Sequence, residues 1–265
     1  MNGLVRIGTR GSRLALIQTE AVKAMIAEAV PDVTVEIIVM KTEGDIDRQS
    51  PLSQFGGRGA FVRTIETALI EGRIDMAVHS LKDLPSRLPE GLVLGASPVR
   101  EDPRDVLVST GGTILDLAPG SIVGTGSERR SSQIAAIRPD LVFRDIRGNI
   151  ETRLNKVGEG YDAVVLAGAA LKRMGFGDRI TETFDPSVLL PAPCQGAIGV
   201  ECREGDDRTL AIAAALDNPS VRQCVDLERT FINTLGMGCH TPVGALAVIE
   251  DDMIRFSGYL ARDKG

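Results

Sequence analysis

Residues 79–85, with the sequence HSLKDLP, present a lysine and an aspartate where a ligand site is expected. They follow an apolar run, 74–78, that predicts a buried strand, and Pro85 then ends regular structure. Lys82 and Asp83 are therefore placed at the carboxyl end of a strand, where ligands bind in open α/β sheets. A carboxylate fixed there suits proton transfer or stabilisation of developing positive charge. An ordinary solvated turn explains this stretch alone equally well.

The basic residues are mostly arginine, with 24 Arg against 6 Lys in a chain of 265 residues and net charge −6. The acidic balance argues against general nucleic-acid binding. Genome base composition or thermal adaptation would explain the arginine excess. Guanidinium groups that bind planar carboxylates in pairs would also explain it. The positions of the arginines, rather than their number, must separate these two explanations.

A strand, a polar turn and a helix open the chain. Residues 4–8 predict the strand, and apolar residues spaced by three and four predict an amphipathic helix at 14–30. Ser12 is suited to cap that helix, and Arg10 and Arg13 flank it. A strand that leads through a short turn into a helix N-terminus is a favourable place for an anion. Capping accounts for Ser12, but it does not account for the two arginines.

The same design recurs in the second half of the chain. Strands predicted at 121–124 and 141–146 each lead into a polar turn and a helix, and a strand at 161–166 leads into a helix at 168–174. The ends of all three strands are expected to face one edge. The polar residues at these turns and on the helices are Thr125, Ser127, Arg129, Arg130, Arg147, Asn149, Arg153, Lys172 and Arg173. Two arrays of this kind predict an α/β protein with two lobes and a cleft lined by basic turns.

The predicted domain boundaries follow the charged and proline-rich crossings between the arrays. Residues 100–105 (REDPRD) lead into the second lobe, 191–196 (PAPCQG) lead back, and a strand at 199–203 rejoins the first lobe. A helix at 221–235 and strands at 243–249 and 253–260 make a small third domain with an exposed edge. The predicted domains are 1–99 with 197–216, 100–196, and 217–265.

Composition argues against several other classes of protein. No apolar run reaches about 18 residues, so no transmembrane helix is expected. The first residues lack the pattern of a secretory signal, and Cys194, Cys202, Cys224 and Cys239 form no CxxC pair. We therefore expect thiols rather than disulfides, and no structural zinc or other metal site.

Seven motifs in a fixed order resemble the porphobilinogen deaminase family over essentially the whole chain. They are Thr9-Arg10 with Ser12, HSLKDLP at 79–85, REDPRD at 100–105, Gly124-Thr125 with Arg129-Arg130, Arg147-Gly148-Asn149, Gln195-Gly196-Ala197, and Gly238-Cys239. A series of seven motifs is far more specific than any one of them.

The resemblance implies two lobes similar to type II periplasmic binding proteins, joined by hinge crossings, and a small α+β C-terminal domain. It implies that four porphobilinogen molecules are linked head to tail with release of ammonia, and that hydrolysis frees hydroxymethylbilane for tetrapyrrole and haem biosynthesis. It further implies a dipyrromethane cofactor joined by a thioether to Cys239. The expected protein is a cytoplasmic monomer that binds porphobilinogen and neither nucleic acid nor membrane.

The resemblance also implies roles for individual residues. Asp83, Lys82, Arg10 and Arg147 would be catalytic, with Asp83 stabilising positive charge and relaying protons. Residues expected to bind substrate or belong to a lid are Arg58, Phe61, Arg173 and Gln195. Those expected to bind the cofactor are Cys239, Ser12, Lys82, Asp83, Thr125, Ser127, Arg129, Arg130, Arg147, Arg153 and Gly196.

The chain departs from the family pattern at a few positions. Arg58 and Gln54 stand where the family often has lysine, His240 follows the cysteine where other residues are common, and the third domain is short. A non-catalytic carboxylate-binding module and a regulatory protein that has lost its chemistry remain alternatives. The expected lack of an export signal disfavours the binding module. The presence of both Asp83 and Lys82 disfavours the regulatory protein.

Overall fold

The computed structural model describes residues 3–40, 62–236 and 242–261. The chain divides into two compact units: Met1–Arg100 with Ala197–Cys239, here called unit 1, and Glu101–Gly196 with His240–Gly265, here called unit 2. The three-domain division made from the sequence stays a prediction. Within the described ranges, no helix is long and apolar enough to cross a membrane.

The strands and helices of the described residues are numbered in chain order. The strands are β1 (Gly3–Arg10), β2 (Val33–Met40), β3 (Met76–Ser80), β4 (Leu92–Ala96), β5 (Asp105–Ser109), β6 (Ile122–Gly124), β7 (Val142–Arg144), β8 (Ala163–Ala167), β9 (Glu182–Thr183), β10 (Ile198–Arg203), β11 (Val243–Glu250) and β12 (Met253–Leu260). The helices are α1 (Arg13–Ala29), α2 (Arg63–Ile70), α3 (Glu128–Ile137), α4 (Ile150–Asn155), α5 (Gly168–Arg173), α6 (Asp207–Ala214) and α7 (Pro219–Leu235).

Unit 1 is built on a five-stranded sheet with the order β2-β1-β3-β10-β4. β1 pairs in parallel with β2 and β3, whereas β10 runs antiparallel to β3 and β4. The predicted return of the chain to the first sheet is therefore confirmed. Because β1 and β3 are parallel, the residues that follow Arg10 and Ser80 meet at one edge of the sheet.

The two faces of this sheet are covered by helices with apolar inner faces. Val22 and Ile26 of α1 pack against one face, and Ile65 and Leu69 of α2 belong to the core on the other. Burial of each such side chain contributes about 1.5–3 kcal/mol. The predicted N-cap is confirmed, since Ser12 Oγ accepts from the backbone N–H of Ala15 at 3.3 Å.

Unit 2 repeats the layout with a sheet of order β7-β6-β8-β5-β9. β6 is parallel to β7 and β8, so their carboxyl ends share one edge, as predicted. β5 runs antiparallel to β8. The strand predicted at 141–146 is shorter, because the chain leaves the sheet after Arg144 and Ile146 turns into the core. Asn149 caps α4 by accepting from the N–H of Thr152 at 2.9 Å.

Helix α7 belongs to unit 1 and the last hairpin belongs to unit 2. Asn218 caps α7, Pro219 occupies its first turn, and Gly236 ends it in the left-handed conformation at φ 61°. Arg229 of α7 donates to the carbonyl oxygens of Pro85 and Ser86 at 2.9 and 3.0 Å. The helix therefore supports the chain just after the Lys82–Asp83 turn.

The hairpin of β11 and β12 is a two-stranded sheet. Its turn places Asp251 and Asp252 at φ 48° and 62°, the conformation that matches the twist of a tight hairpin. β11 is anchored to unit 2, since Ala245 N donates to the carbonyl oxygen of Pro191 at 3.1 Å. Most residues of β12 are exposed.

Candidate active site

The shared edge of β1 and β3 borders a cavity in unit 1. The turn after β1 contributes Arg10 and Ser12, and the turn after β3 contributes Asp83. The remaining lining residues are Leu14, Ala15, Gln18, Val62, Val78, His79 and Ser80. Three of the predicted site residues, a cation, a hydroxyl and a carboxylate, are thus brought together in one concave place.

A single turn of 3₁₀ helix at 81–83 presents Lys82 and Asp83. Leu81 is 1% exposed and its backbone N–H donates to the carbonyl oxygen of Ala197 at 3.0 Å. Lys82 and Asp83 themselves are half-buried. The buried leucine and the bond to the start of β10 fix the backbone, so the two charged side chains leave the sheet in defined directions.

A buried glutamine supports this turn and was missed in the sequence interpretation. Gln18 of α1 is 2% exposed, and its Oε1 accepts from Ser80 Oγ at 2.9 Å. A polar side chain on the inner face of an amphipathic helix is the signal that could have found it. The contact links the helix that Ser12 caps to the strand that carries the Lys82–Asp83 turn.

In unit 2 the paired arginines of α3 surround one buried carboxylate. Arg130 Nε and Nη2 donate to Asp105 Oδ1 at 3.0 and 2.7 Å, and Arg129 Nη2 lies 2.8 Å from Asp105 Oδ2. Gln195 Nε2 also donates to Asp105 Oδ1, at 2.9 Å. Asp105 is fully buried, and both arginines are less than a tenth exposed. Sequence reasoning gave Asp105 no role.

The Asp105 carboxylate is kept ionised by its neighbours. Burial by itself would raise the pKa of Asp105, but the charges of Arg130 and Arg129 outweigh burial and lower that pKa to about 2. One negative charge is then shared by two guanidinium groups, so the cluster carries an excess of positive charge. Other N–H groups of the two arginines donate to backbone carbonyl oxygens, from Arg129 to Leu190 at 2.6 Å and from Arg130 to Val165 at 3.1 Å.

The other polar residues of unit 2 follow β6 and β7. Thr125 Oγ1 accepts from the backbone N–H of Ser127 at 3.2 Å, which shapes the turn before α3. Arg147 Nε lies 3.1 Å from Asp145 Oδ2 in an exposed pair, and Arg153 Nε donates to the carbonyl oxygen of Gly148 at 2.8 Å. These turns lie at the edge that the sequence predicted, next to the start of α3.

Residues 195 and 196 are held by contacts within unit 2. Gln195 Nε2 donates to the carbonyl oxygen of Pro103 at 2.7 Å in addition to Asp105. Arg173 Nη2 donates to the carbonyl oxygen of Gly196 at 2.7 Å. Burial lowers the pKa of Arg173, although the charge of Glu101 acts against that shift. Of these three predicted residues, Gln195 therefore contacts Asp105, whereas Arg173 and Gly196 contact each other.

Replacing Gly196 by alanine should destabilise unit 2 by at least about 2 kcal/mol, because φ at Gly196 is 87° and an added Cβ would collide with the carbonyl oxygen of Glu101. Gly175→Ala is the matched control, since φ there is 77° and nothing lies within 4 Å of the added atom. Chemical denaturation of both variants measures the difference. If both variants lost the same free energy of unfolding, the collision predicted for Gly196→Ala would add nothing to the effect of the backbone conformation.

Several predicted residues lie outside the described residues. These are Cys239, Arg58 and Phe61, together with Gln54 and His240, whose identities depart from the family pattern. Their roles stay predictions.

The comparisons with known proteins agree along nearly the whole chain. Residues 5–211 match the family model "Porphobilinogen deaminase, dipyromethane cofactor binding domain", and residues 222–265 match "Porphobilinogen deaminase, C-terminal domain". The chain belongs to the porphobilinogen deaminase family. The porphobilinogen deaminase of Roseiflexus castenholzii is 48% identical over 262 residues, which cover 98% of this chain and 86% of that protein. The porphobilinogen deaminase of Syntrophobacter fumaroxidans is also 48% identical, over 99% of this chain and 85% of its own length.

Among solved structures, lipoprotein Tp32 from Treponema pallidum superposes with a TM-score of 0.52 at 14% identity, over 84% of this chain and 94% of that one. At this identity the likeness concerns the fold alone. The predicted α/β fold class is confirmed, and the match of residues 222–265 to a C-terminal domain supports the small C-terminal part.

The residues present fit the dipyrromethane that this porphobilinogen deaminase family binds. A dipyrromethane carries acetate and propionate groups, and such a polyanion needs cationic and hydroxyl donors. Unit 2 supplies an edge of arginines with Thr125 and Ser127, in which one buried carboxylate, Asp105, offsets only part of the positive charge. The donor set therefore has the charge sign and the hydrogen-bonding groups that the cofactor requires.

Proposed function

We propose that the protein is a hydroxymethylbilane synthase whose catalytic carboxylate is Asp83. The observation that carries this proposal is the common cavity of Asp83, Arg10 and Ser12 at the edge of the unit 1 sheet. Membership in the porphobilinogen deaminase family supports the reaction: porphobilinogen is condensed head to tail with release of ammonia, and a linear tetrapyrrole is released by hydrolysis.

The cationic residues bind the acids of the substrate and cofactor. Each porphobilinogen has an acetate and a propionate, so repulsion grows with every unit added. A charged hydrogen bond between a guanidinium group and a carboxylate contributes about 1.5–3 kcal/mol. Arg10 and Arg147 bind the incoming substrate, and Lys82, Arg129, Arg130 and Arg153 hold the cofactor acids. Ser12, Thr125 and Ser127 add hydroxyl donors.

Asp83 acts where positive charge develops. When ammonia leaves the substrate, a cationic methylene-pyrrolenine remains, and a fixed carboxylate beside the pyrrole N–H stabilises that cation. The same carboxylate relays a proton to the leaving amine. The geometry supports this role, because the buried Leu81 and the Ala197 bond hold the Asp83 turn still while its side chain stays accessible.

The dipyrromethane, when bound, supplies the anchored pyrrole end to which new units are joined. We place its attachment at Cys239, since the Gly238-Cys239 motif resembles the attachment site of the family, and Cys194, Cys202 and Cys224 are all buried. Burial raises the pKa of the Cys202 thiol to about 12, so this thiol is a poor nucleophile. Arg58, Phe61, Arg173, Gln195 and Gly196 complete the set as substrate, lid or cofactor residues.

The thiol count tests this attachment. The chain has four cysteines, so a protein with one thioether should give three titratable thiols after unfolding in denaturant and almost none when native. Ellman's reagent measures both numbers, and the Cys239→Ser variant should also give three. Four thiols in an unfolded, active preparation would place the cofactor elsewhere or show that it is not covalently held.

We also propose that the protein works as a monomer in the cytoplasm with porphobilinogen as its substrate and without a nucleic-acid or membrane partner. The family match supports the substrate. Light scattering coupled to gel filtration measures the mass of the active species. A stable dimer as the active species would contradict the monomer.

Incubation with porphobilinogen tests the function. The expected result is release of ammonia and appearance of an absorbing linear tetrapyrrole, with four ammonia molecules per tetrapyrrole. A carboxylate-binding module would take up porphobilinogen and release nothing, and that outcome would reject the enzyme.

A further inference from the structure

A histidine and two glutamates are buried together behind the Asp83 turn, and the proposed function leaves them without a role. His79 is 7% exposed, Glu66 is 8% exposed and Glu201 is fully buried. His79 Nε2 lies 3.0 Å from Glu201 Oε2. Within the described residues, Glu201 Oε1 and Glu66 Oε1 are buried without a hydrogen-bond partner. Burial of such groups is costly, so the cluster calls for an explanation beyond stability.

Strand pairing places the histidine and its glutamate on one face of the unit 1 sheet. His79 of β3 lies opposite Gly199 of β10, and Glu201 is two residues further along β10. Gly199 has no side chain, and Leu81 and Leu94 occupy the space that its Cβ would take. Glu66 approaches the same face from α2, where burial first and the charge of Glu201 second raise its pKa. The other charged groups near the cluster are Arg63 of α2, and Arg10 and Asp83 at the cavity.

The contact between His79 and Glu201 determines which ring nitrogen of His79 is available to accept a proton. The 3.0 Å contact is a hydrogen bond in the arrangement in which Nε2 of His79 donates and the Glu201 carboxylate accepts. In a neutral ring Nδ1 then has the lone pair. No hydrogen bond joins Nδ1 to another described residue. His79 also lines the cavity that contains Asp83 and Arg10. A ring oriented by a buried carboxylate beside a reaction cavity is the arrangement of a general base.

We propose that His79, oriented by Glu201, is a second acid–base residue of the porphobilinogen cavity and accepts the carbon-bound proton that is lost at each addition. The inference rests on the proposed function. When a new carbon–carbon bond forms at the free α-carbon of a pyrrole, that carbon still holds its hydrogen. The C–H bond then breaks, its electron pair restores the aromatic ring, and the proton goes to Nδ1. The resulting imidazolium is stabilised by Glu201 and returns the proton to solvent or to the departing ammonia.

Two variants separate this role from support of the fold. His79→Gln keeps an amide donor near the position of Nε2 but has no base, and Glu201→Gln removes only the orienting charge. Cys202→Ala is the matched control, since Cys202 is the next residue on β10 and is buried in the core on the opposite face of the sheet. Each protein is compared by kcat with ordinary porphobilinogen and with substrate carrying deuterium at the free α-carbon.

The expected result is a fall in kcat of about 10²-fold or more for His79→Gln, with a primary deuterium isotope effect that the wild type and Cys202→Ala lack. Glu201→Gln should show the same isotope effect with a smaller loss. A His79→Gln kcat within about threefold of wild type, or no isotope effect in that variant, would overturn the role. If wild-type protein forms no tetrapyrrole, the proposed function fails instead.

A measurement without turnover decides the case even where a variant does not fold. The chain contains two histidines, His79 and His240, so nitrogen-15 spectra of histidine-labelled wild-type protein give few signals, and the spectrum of a His240→Gln variant identifies those of His79. We expect the neutral His79 ring to carry its proton on Nε2 and to show a change at Nδ1 when porphobilinogen is added. A ring protonated on Nδ1, or one that does not respond to the substrate, would reject the proposal.

Discussion

Replacing Asp83 by asparagine should lower kcat for tetrapyrrole formation by about 10²–10⁴-fold and leave the protein folded. Asparagine has nearly the same shape as aspartate, so the half-buried position in the 81–83 turn stays filled. The charge that stabilises the cation left by ammonia is lost, and so is the group that relays protons. Initial rates of ammonia release measure the effect.

The control for Asp83→Asn is Asp32→Asn, which removes the same charge from an exposed turn before β2. We expect that variant to keep wild-type rates and both variants to keep the wild-type melting temperature. Bound porphobilinogen should still be detected with Asp83→Asn, because Arg10 and Ser12 remain in the cavity. Near-normal turnover of Asp83→Asn would remove Asp83 from the proposed role.

Asp105→Asn should destabilise unit 2 by about 3–5 kcal/mol, because it leaves two buried guanidinium groups without their carboxylate. Arg129 and Arg130 would then lose the contact that fixes them, so the purified variant should also contain less covalent cofactor. Urea denaturation measures the stability, and intact mass measures the cofactor content.

Asp140→Asn is the matched control, since Asp140 pairs with Arg138 at 2.6 Å but lies at the surface of the same unit. Because that pair lies at the surface, its loss should change the free energy of unfolding very little. If Asp105→Asn lost no more free energy of unfolding than Asp140→Asn, the buried contacts of Asp105 with Arg129 and Arg130 would not determine the stability of unit 2.

The pKa of Asp105 gives this pair a characteristic pH dependence. The folded-state pKa is lowered from 3.8 to about 2, so the ionised form is favoured in the folded protein. Its stabilising contribution is therefore complete above the unfolded value and is lost as the pH falls from about 4 toward 2. In denaturation curves the difference between wild type and Asp105→Asn should shrink in that range and stay constant at neutral pH.

The sequence predicted local structure well where a local pattern causes it. Ser12 and Asn149 cap their helices as expected, because capping depends on residues three apart in the chain. The end of β7 was placed too late, since the apolar Ile146 continues the strand pattern but packs into the core from outside the sheet. Burial, rather than strand propensity, determines the position of that residue.

Contacts between distant parts of the chain were not predictable from the sequence. Asp105 meets Arg129 and Arg130 only through the fold, and His79 meets Glu201 across 122 residues. The number of arginines does not reveal which of them support the structure and which line the cavity. Arg138, for example, donates to the carbonyl oxygens of Ile114 and Leu117 and serves structure, whereas Arg10 lines the cavity with Asp83.

The central claim is that Asp83 acts on pyrroles that stay attached to this chain, and the mass of the intact protein tests it most directly. Before substrate is added, the mass of the wild-type protein should exceed that of the bare chain by two pyrrole units. After brief mixing with limiting porphobilinogen, a series of further masses should appear, each heavier than the one before by one pyrrole unit. Asp83→Asn, treated in the same way, should stay at its starting mass. A wild-type protein that releases ammonia and tetrapyrrole while its mass remains that of the unmodified chain would contradict the account.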